Sequence, residues 1–328
     1  MTRCPPTPVR AGVVGVGSIG QHHARNYANL SGAELVGVVD TDVDRAAGVA
    51  EEYGTTACSL DELFASVDAV SVAVPTTHHH QVASTAIDRG VHVLVEKPLA
   101  SSREECLDLI ARARANGVTL QVGHVERFNP AVEALGDIVA DLDLIAVEAH
   151  RLGPPLSREM DDTAVLDLMI HDIDVVLSLV DEPVVSVDAR GVLDNQHVTA
   201  TLSFENGVIA TLTASRVTQQ KVRQLSVTAA DCRVNTDYTD QSVMIHRQSV
   251  PEYVENWDSI SYRSQSVIEL PTIETGEPLE RELVSFLDSV RSGDPPVVTG
   301  EDGYRAFELA MEIDRIARGD EQLQSQVP

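Results

Sequence analysis

A lysine followed by a proline, and an aspartate four residues before a histidine, are the sequence features best suited to chemistry. Lys97 follows the apolar run 91–95 and Glu96, and Asp167 precedes His171 in a segment with helical periodicity. Lysine can lose its proton when its pKa is lowered. A histidine oriented by a carboxylate is a common acid–base arrangement. Together these groups could remove a proton from a substrate hydroxyl, although a structural helix pair and a salt-bridged lysine without chemistry remain alternatives.

The position of Lys97 supports a role at a ligand site. Only two of the 24 basic residues are lysines, Lys97 and Lys221. Apart from His92, the run 91–95 is apolar and rich in valine, as expected for a strand inside a parallel sheet. Pro98 cannot continue a central strand, because it has no N–H for the ladder. Glu96 and Lys97 are therefore predicted at the carboxyl end of a strand, where ligands bind in open α/β sheets.

A glycine-rich segment predicts a dinucleotide site. Gly15, Gly17 and Gly20 lie between a short apolar strand and a helix-like segment, and Asp40 ends the next predicted strand, 20 residues after Gly20. The glycines allow a tight turn, close approach of a pyrophosphate and close packing of helix on strand. The helix N-terminus offers N–H groups to the phosphates. A glycine turn without a ligand is the alternative.

Asp40 favours NAD over NADP, because its carboxylate can bind the ribose hydroxyls and would repel a 2′-phosphate. The strand 69–74 ends in a loop that begins at Pro75 and contains His78, His79 and His80. Consecutive side chains point in different directions, so we predict no metal site and expect this loop to cross the nicotinamide side of the cofactor. The predicted cofactor-binding residues are Gly15, Gly17, Ser18, Ile19, Gly20, Asp40, Pro75, Thr76, His79, Glu96 and Lys97.

The elements that must position these residues change character along the chain. Strands alternate with helices up to about residue 124, which predicts a doubly wound parallel sheet. Later strands follow one another at 184–192, 199–204 and 208–214, and Asn206-Gly207 predicts a type I′ hairpin. The sequence thus predicts an α/β protein with an NAD-binding Rossmann domain at 1–124. The range 125–328 is predicted to form an α+β substrate and oligomerisation domain on a largely antiparallel open sheet.

Composition excludes several classes of protein. The net charge is −27, which opposes binding to nucleic acid and to acidic membranes. No apolar run approaches the roughly 18 residues of a membrane span. The start lacks an apolar signal core, so we expect a cytoplasmic location. The four cysteines are far apart and predict neither disulfides nor a zinc site.

An acidic surface with scarce lysine is typical of proteins from salt-loaded cytoplasm. At about 1 M salt the Debye length is roughly 3 Å, so self-repulsion is screened. We therefore predict a halophilic protein whose stability rises with salt.

The motifs together resemble one oxidoreductase family. Gly15-Val-Gly-Ser-Ile-Gly20, Ala73-Val-Pro-Thr-Thr-His78, Glu96-Lys-Pro98 and Asp167-Leu-Met-Ile-His-Asp172 are similar to those of the glucose–fructose oxidoreductase/inositol dehydrogenase (Gfo/Idh/MocA) family. The resemblance implies a Rossmann domain and a C-terminal domain whose open sheet face commonly forms the interface of a homodimer or homotetramer. It places Lys97, Asp167 and His171 at catalytic positions. It also implies that the lysine–proline motif lines the nicotinamide, with a peptide bond that can be cis.

A narrower resemblance concerns the substrate. The segments 121–130, 151–155 and 165–174 are similar to those of archaeal UDP-N-acetylglucosamine 3-dehydrogenases, which implies oxidation of the sugar 3-hydroxyl to a ketone. The predicted substrate-binding residues are Lys97, Arg127, Arg151, Asp167 and His171. A UDP-sugar brings a diphosphate, which bidentate guanidinium contacts suit. Three further arginines of this domain, Arg158, Arg216 and Arg223, are candidates for such contacts, but surface ion pairing is the expected role of each.

The chemistry implied is hydride transfer from a carbinol carbon to NAD⁺. His171 is the predicted base, oriented by Asp167, and Lys97 is predicted to hydrogen-bond the reacting oxygen; the two roles could be exchanged. Three alternatives stay open. The protein could oxidise inositol or another free polyol, use NAD transiently to cleave glycosides, or be a non-catalytic NAD-binding regulator on the same fold.

Overall fold

A computed structural model describes residues 7–155, 163–248, 252–256, 259–263 and 266–319. The chain forms two compact units, Met1–Phe128 with Gly276–Glu308, and Asn129–Thr275 with Leu309–Pro328. They differ from the predicted ranges 1–124 and 125–328 chiefly in Gly276–Glu308, which belongs to the first unit. The physical reason is apolar burial, since Leu283, Phe286 and Leu287 share a buried cluster with Tyr27.

The first unit contains a six-stranded sheet in which each pair of neighbours is parallel. Its strands are β1 Val9–Val14, β2 Ala33–Val39, β3 Thr56–Ala57, β4 Ala69–Val72, β5 His92–Glu96 and β6 Leu120–Gly123. Their order is β3-β2-β1-β4-β5-β6, the Rossmann arrangement. All residues of β4 and β6 are buried, as expected for a sheet covered on both faces. The predicted doubly wound sheet is confirmed.

The bounds of the helices are those of the structure, and α5 shows the local causes of a helix start and end most directly. They are α1 Ser18–Asn29, α2 Val43–Tyr53, α3 Leu60–Ser66, α4 His79–Asp88, α5 Arg103–Asn116, α6 Pro130–Val139, α7 Ile170–Val180, α8 Pro278–Ser292 and α9 Gly300–Arg318. Ser102 caps α5 by accepting from Glu105 N at 3.2 Å, and Gly117 ends that helix with φ of 65°. Within the described residues, no helix has both the length and the apolar character that a membrane crossing requires.

The second unit contains an eight-stranded sheet that is antiparallel except for the parallel pair β7–β10. Its strands are β7 Leu144–Leu152, β8 Val184–Val192, β9 His197–Phe204, β10 Ile209–Ser215, β11 Val222–Ala229, β12 Cys232–Asp237, β13 Ser242–Gln248 and β16 Ser266–Glu269. The order is β16-β13-β12-β11-β7-β10-β9-β8, and β14 Glu252–Asn256 pairs with β15 Ser259–Arg263. Buried and half-exposed residues alternate along β9, so one face of this sheet is more open than the other. The predicted largely antiparallel open sheet is confirmed.

The hairpin between β9 and β10 forms where it was predicted, with a different turn. Gly207 has φ of 86°, but Asn206 is not among the residues with positive φ. Gly207 N donates to Phe204 O and Phe204 N to Val208 O, both at 2.9 Å. A type I′ turn needs positive φ at both central residues, so this loop is a three-residue connection with a glycine bulge. The strands β12 and β14 to β16 were not predicted from the sequence.

Candidate functional site

The glycine segment forms a loop that leaves room for a phosphate group. Gly15 has φ of 85°, and a Cβ there would lie 2.7 Å from Ala73 O. A Cβ on Gly20 would lie 1.8 Å from Gly15 O, whereas one on Gly17 would meet nothing within 4 Å. Gly17 immediately precedes α1, whose first N–H groups have no acceptor within the helix. The open side of Gly17 therefore fits a pyrophosphate.

Asp40 lies beside this loop at the end of β2. Its carboxylate accepts from Val16 N at 2.8 Å, Asp42 N at 2.9 Å and Arg45 Nη2 at 2.9 Å. Burial would raise the pKa of Asp40, but the hydrogen bonds from Arg45, Asp42 and Val16 outweigh burial and hold the pKa below its ordinary value. The group is thus an ionised acceptor, as recognition of ribose hydroxyls requires. Arg45 shares that carboxylate and would have to share it with the ribose.

At the end of β5, Glu96 is held by a buried histidine from α1. His23 Nε2 is 2.9 Å from Glu96 Oε1, and its Nδ1 is 3.0 Å from Ser71 Oγ, which lies 2.9 Å from Tyr27 OH. Burial would raise the pKa of Glu96, but the hydrogen bond with His23 and the nearby charge of Lys97 hold it below its ordinary value. Glu96 therefore stays a carboxylate next to Lys97.

His79 connects the ends of two strands. It is 1% exposed, its Nδ1 is 2.8 Å from Pro98 O, and its Nε2 is 2.9 Å from Val74 O. Burial lowers the pKa of His79, although both carbonyl groups favour the protonated ring. Because both ring nitrogens face backbone oxygens, the structure supports a positioning role for His79 in place of a direct polar contact with the cofactor. We call His23, His79, Glu96 and Lys97 the strand-end cluster.

The rest of the predicted cofactor residues lie around these groups. Ser18 and Ile19 are exposed at the start of α1, and Pro75 and Thr76 lie in the turn after β4. The bond between Lys97 and Pro98 is cis, as the resemblance allowed. The three neighbouring histidines do not act together: His78 is exposed, His79 is buried, and His80 Nε2 lies 2.7 Å from Asp108 Oδ2.

Asp167 and His171 lie on either side of a change in helical geometry. Residues Val165–Met169 form a π-helical turn that continues into α7, where the sequence predicted one regular helix. π-helical turns inside α-helices are frequent at functional sites. Asp167 and His171 are partly exposed, while Ile170 and Asp172 between and after them are buried. The two predicted catalytic residues are thus the accessible polar groups of this segment.

Two buried arginines hold two of the carboxylates of this segment. Arg216 Nη2 donates to Asp167 Oδ2 at 2.6 Å, with side-chain exposures of 5% and 25%. Arg151 binds Asp172 through Nε at 2.8 Å and Nη2 at 2.9 Å, with exposures of 5% and 3%. Burial of a charge requires such pairing. We call Asp167, His171, Asp172, Arg151 and Arg216 the helix cluster.

The arginines were only partly anticipated from sequence. Arg216, expected on the surface, is buried against a predicted catalytic carboxylate. Arg151, predicted to bind substrate, engages Asp172 and also lies 5.1 Å from the ring centroid of Tyr238. Arg127 lies partly buried in the short turn Val125–Phe128. Substrate contacts of Arg127 and Arg151 remain predictions, and Arg158 lies outside the described residues.

His23 and Arg45 were also missed. His23 follows Gly20 by three residues on α1, so its helical spacing from the glycine loop was a usable signal. No contact between Arg45 and Asp40 was predicted, because Arg45 lies five residues further along the chain. The first turn of α2 brings Arg45 back to that carboxylate.

A Rossmann sheet with an open glycine loop and an ionised acidic residue after β2 is the arrangement of an NAD-binding domain. Family comparisons agree: residues 9–124 match "Oxidoreductase family, NAD-binding Rossmann fold", and residues 146–234 match "GFO/IDH/MocA C-terminal domain". The chain belongs to the GFO/IDH/MocA family.

Individual relatives cover nearly the whole chain. UDP-N-acetylglucosamine 3-dehydrogenase of Acidithiobacillus ferrooxidans is 34% identical over 93% of this chain and 96% of its own. The solved structure of that organism's UDP-N-acetylglucosamine 3-dehydrogenase GnnA has a TM-score of 0.86, with 33% identity, 95% of this chain covered and 98% of its own. An inositol 2-dehydrogenase/D-chiro-inositol 3-dehydrogenase of Halalkalibacterium halodurans is 29% identical over 91% of this chain and 88% of its own. The UDP-sugar relative is bacterial, whereas the resemblance of the sequence motifs implied an archaeal one.

Proposed function

We propose that this protein is an NAD-dependent dehydrogenase that oxidises the 3-hydroxyl of UDP-N-acetylglucosamine. The observation that carries the proposal is the likeness to the Acidithiobacillus enzyme, which extends over 93% of this chain at 34% identity. A match over both units supports a shared substrate more strongly than a match of the nucleotide-binding unit alone, because substrate specificity lies in the site and not in the fold.

Different residues of the chain would bind the cofactor and remove the substrate proton. Gly15, Gly17 and Gly20 would hold the cofactor phosphates and Asp40 the adenosine ribose. When bound, NAD⁺ supplies an acceptor for the hydride of the carbinol carbon. His171 removes the hydroxyl proton, and Asp167 orients its ring.

Lys97 donates a hydrogen bond to the reacting oxygen in this scheme. The hydrogen bond with His23 helps to hold the pKa of its neighbour Glu96 below the ordinary value although burial would raise it, so Glu96 places a negative charge beside Lys97. If Lys97 and His171 exchanged these roles, the products would be the same. The pH profiles of the variants Lys97→Ala and His171→Ala distinguish the two assignments.

A substrate panel tests the proposal. The purified protein would be mixed with NAD⁺ and, separately, with UDP-N-acetylglucosamine, UDP-glucose, N-acetylglucosamine, myo-inositol and scyllo-inositol, in buffer with and without molar KCl. We expect NADH absorbance to grow fastest with UDP-N-acetylglucosamine, and NADP⁺ to replace NAD⁺ poorly. Equal rates with free N-acetylglucosamine would show that the diphosphate is not recognised.

Oxidation of inositol is the second candidate. It is favoured by the match to inositol dehydrogenases at 28% and 29% identity over more than nine-tenths of this chain. A free polyol needs no phosphate-binding group, so a faster reaction with an inositol than with any UDP-sugar would select this alternative. Glycoside cleavage would consume no net NAD⁺, and a regulator would oxidise none of these compounds.

We further propose assembly as a homodimer or homotetramer through the open face of the eight-stranded sheet. Supporting this, the half-exposed positions of β9 and β10 carry hydroxyl side chains at regular spacing, among them Thr199 and Thr213, whose oxygens are 3.2 Å apart. Light scattering at several salt concentrations would give the assembly state, and a monomer throughout would exclude it.

Salt dependence is the other proposal drawn from composition. The net charge of −27 supports a halophilic protein, and the melting temperature should rise between low salt and molar KCl. A flat or falling melting temperature would contradict this. The cytoplasmic location stays a prediction.

A further inference from the structure

The loop between β8 and β9 has an uncommon backbone. Leu193, Asp194 and Asn195 have φ of 54°, 52° and 59°, so three successive non-glycine residues are left-handed. L-residues visit this region as single residues and not as runs. Such strain persists where the surrounding structure holds it, and it is concentrated at functional sites.

Asn195 is the buried member of the three, at 2% exposure. Its Nδ2 donates to Asp314 O at 3.0 Å and to Asp314 Oδ1 at 2.9 Å. A Cβ on Gly191 would lie 1.9 Å from Asn195 Oδ1, so the glycine makes space for the amide. Asp314 is in turn bound by Arg318 Nε at 2.9 Å. The turn is therefore fixed to α9 through a specific amide group.

From this anchored turn, two backbone hydrogen bonds lead to the helix cluster. Ala164 N, immediately before the π-helical turn, donates to Asn195 O at 3.0 Å. Arg216 N donates to Gln196 O at 2.9 Å. One turn thus holds the segment that carries Asp167 and the backbone of the arginine that binds Asp167.

We propose that Asn195 is a positioning residue that sets the Asp167–Arg216 ion pair, and through Asp167 the orientation and charge state of His171. This inference rests on the proposed function, because it assigns Asn195 to the chemistry of Asp167 and His171. The amide of Asn195, bound to Asp314, holds the strained backbone of the turn. In this conformation Asn195 O accepts from Ala164 N on the Asp167 side of the ion pair, and Gln196 O accepts from Arg216 N on the other side.

Three variants of the full chain test this inference. Asn195→Ala removes the amide and leaves a side chain that disfavours the left-handed conformation. Asn195→Gly removes the amide but permits that conformation, so it should fold if the alanine variant does not. Asp194→Gly is the matched control, because it changes an exposed neighbour in the same left-handed run and keeps the amide anchor.

We expect kcat to fall about 10-fold to 100-fold in Asn195→Ala and Asn195→Gly, the range that a small misplacement of a catalytic group produces. The dissociation constant of NAD⁺ should stay unchanged, since the cofactor loop is on another unit, and Asp194→Gly should keep normal kcat. If Arg216 no longer offsets the charge of Asp167, His171 should hold its proton to higher pH. The acid limb of the kcat–pH profile should then move to higher pH. A merely structural loss would not cause this shift.

The outcomes separate this inference from the proposed function. His171→Ala is measured in parallel, with the substrate that the wild type oxidises fastest. Reduced turnover in His171→Ala with normal kcat and an unmoved pH profile in both Asn195 variants would overturn the inference alone. Normal turnover in His171→Ala would overturn the assignment of His171 and the inference with it.

Discussion

The strand-end cluster and the helix cluster hold their polar groups in different ways. In the strand-end cluster, buried histidines bond to backbone carbonyl groups and to one carboxylate, and short links of 2.8 to 3.0 Å tie strand ends together. In the helix cluster, two carboxylates are held by arginines, Arg151 near the end of β7 and Arg216 directly after β10. Backbone partners fix geometry with little charge, whereas arginine partners fix geometry and also place a positive charge beside each carboxylate. The two clusters should therefore fail differently when a single group is removed.

The largest expected effect is a loss of turnover without a loss of NAD⁺ binding, for one residue of each cluster. Lys97→Ala and His171→Ala should each lower turnover by about 10²- to 10⁴-fold, as loss of general acid–base catalysis does. Neither residue belongs to the phosphate loop, so NAD⁺ affinity measured by calorimetry should persist. Near-normal turnover in both variants would refute the catalytic assignment, and loss of NAD⁺ binding in Lys97→Ala would make Lys97 a cofactor ligand first.

The two buried arginines offer the next test, inside the helix cluster. Arg151→Met should destabilise the protein by about 3–5 kcal/mol, because it leaves the Asp172 carboxylate buried without its bidentate partner. Arg216→Met should cost less stability, since Asp167 is partly exposed and water can replace the lost contact. It should lower kcat more, however. Urea unfolding and steady-state kinetics on both variants would measure this, and the reverse ranking would assign Arg151 to the substrate.

The contrast between the clusters also explains what the sequence could predict. The glycine loop, Asp40 and the Glu96–Lys97–Pro98 strand end are contiguous motifs on strands with clear apolar patterns, so both fold and position followed from local sequence. Asp167 and His171 were recognisable because four residues separate them on one helix. Their spacing could not reveal the π-helical turn, which depends on packing around the segment.

Two of the missed contacts join distant segments. Arg216 reaches Asp167 across 49 residues and His23 reaches Glu96 across 73, so the spacing of His23 from the glycine loop could mark it as a candidate but could not identify its partner. Helix α8 could be located from its apolar spacing, but its assignment to the first unit follows from the burial of Leu283 and Phe286. The strand β12 was missed because Cys232–Asp237 alternates polar and small residues without a strong apolar signal.

Substitutions in the glycine loop should have smaller effects, and they distinguish a loss of stability from a loss of NAD⁺ binding. Gly20→Ala would place a Cβ 1.8 Å from Gly15 O, and overpacking of this kind costs about 1–3 kcal/mol. Gly17→Ala meets no protein atom, so it should leave the melting temperature unchanged and weaken NAD⁺ binding. Thermal melts with and without NAD⁺ compare the two. A destabilised Gly17→Ala that binds NAD⁺ normally would mean that the open side of Gly17 is not the phosphate site.

The smallest effect concerns the ionisation of His79 and the strand-end cluster. Burial depresses the pKa of His79 in the folded protein, while the unfolded chain has the ordinary value of about 6.5. The stabilisation from the neutral ring is therefore complete above that pH and is lost as the pH falls through it toward the folded-state pKa. The melting temperature of His79→Gln should drop less than that of the wild type between pH 7.5 and pH 5.5. A neutral ring donates to only one of the two carbonyl oxygens, Pro98 O and Val74 O, whereas a protonated ring satisfies both. If acidification instead stabilised the wild type relative to His79→Gln, the effect of the two carbonyl groups would outweigh that of burial. The His79 ring would then carry a positive charge beside Glu96.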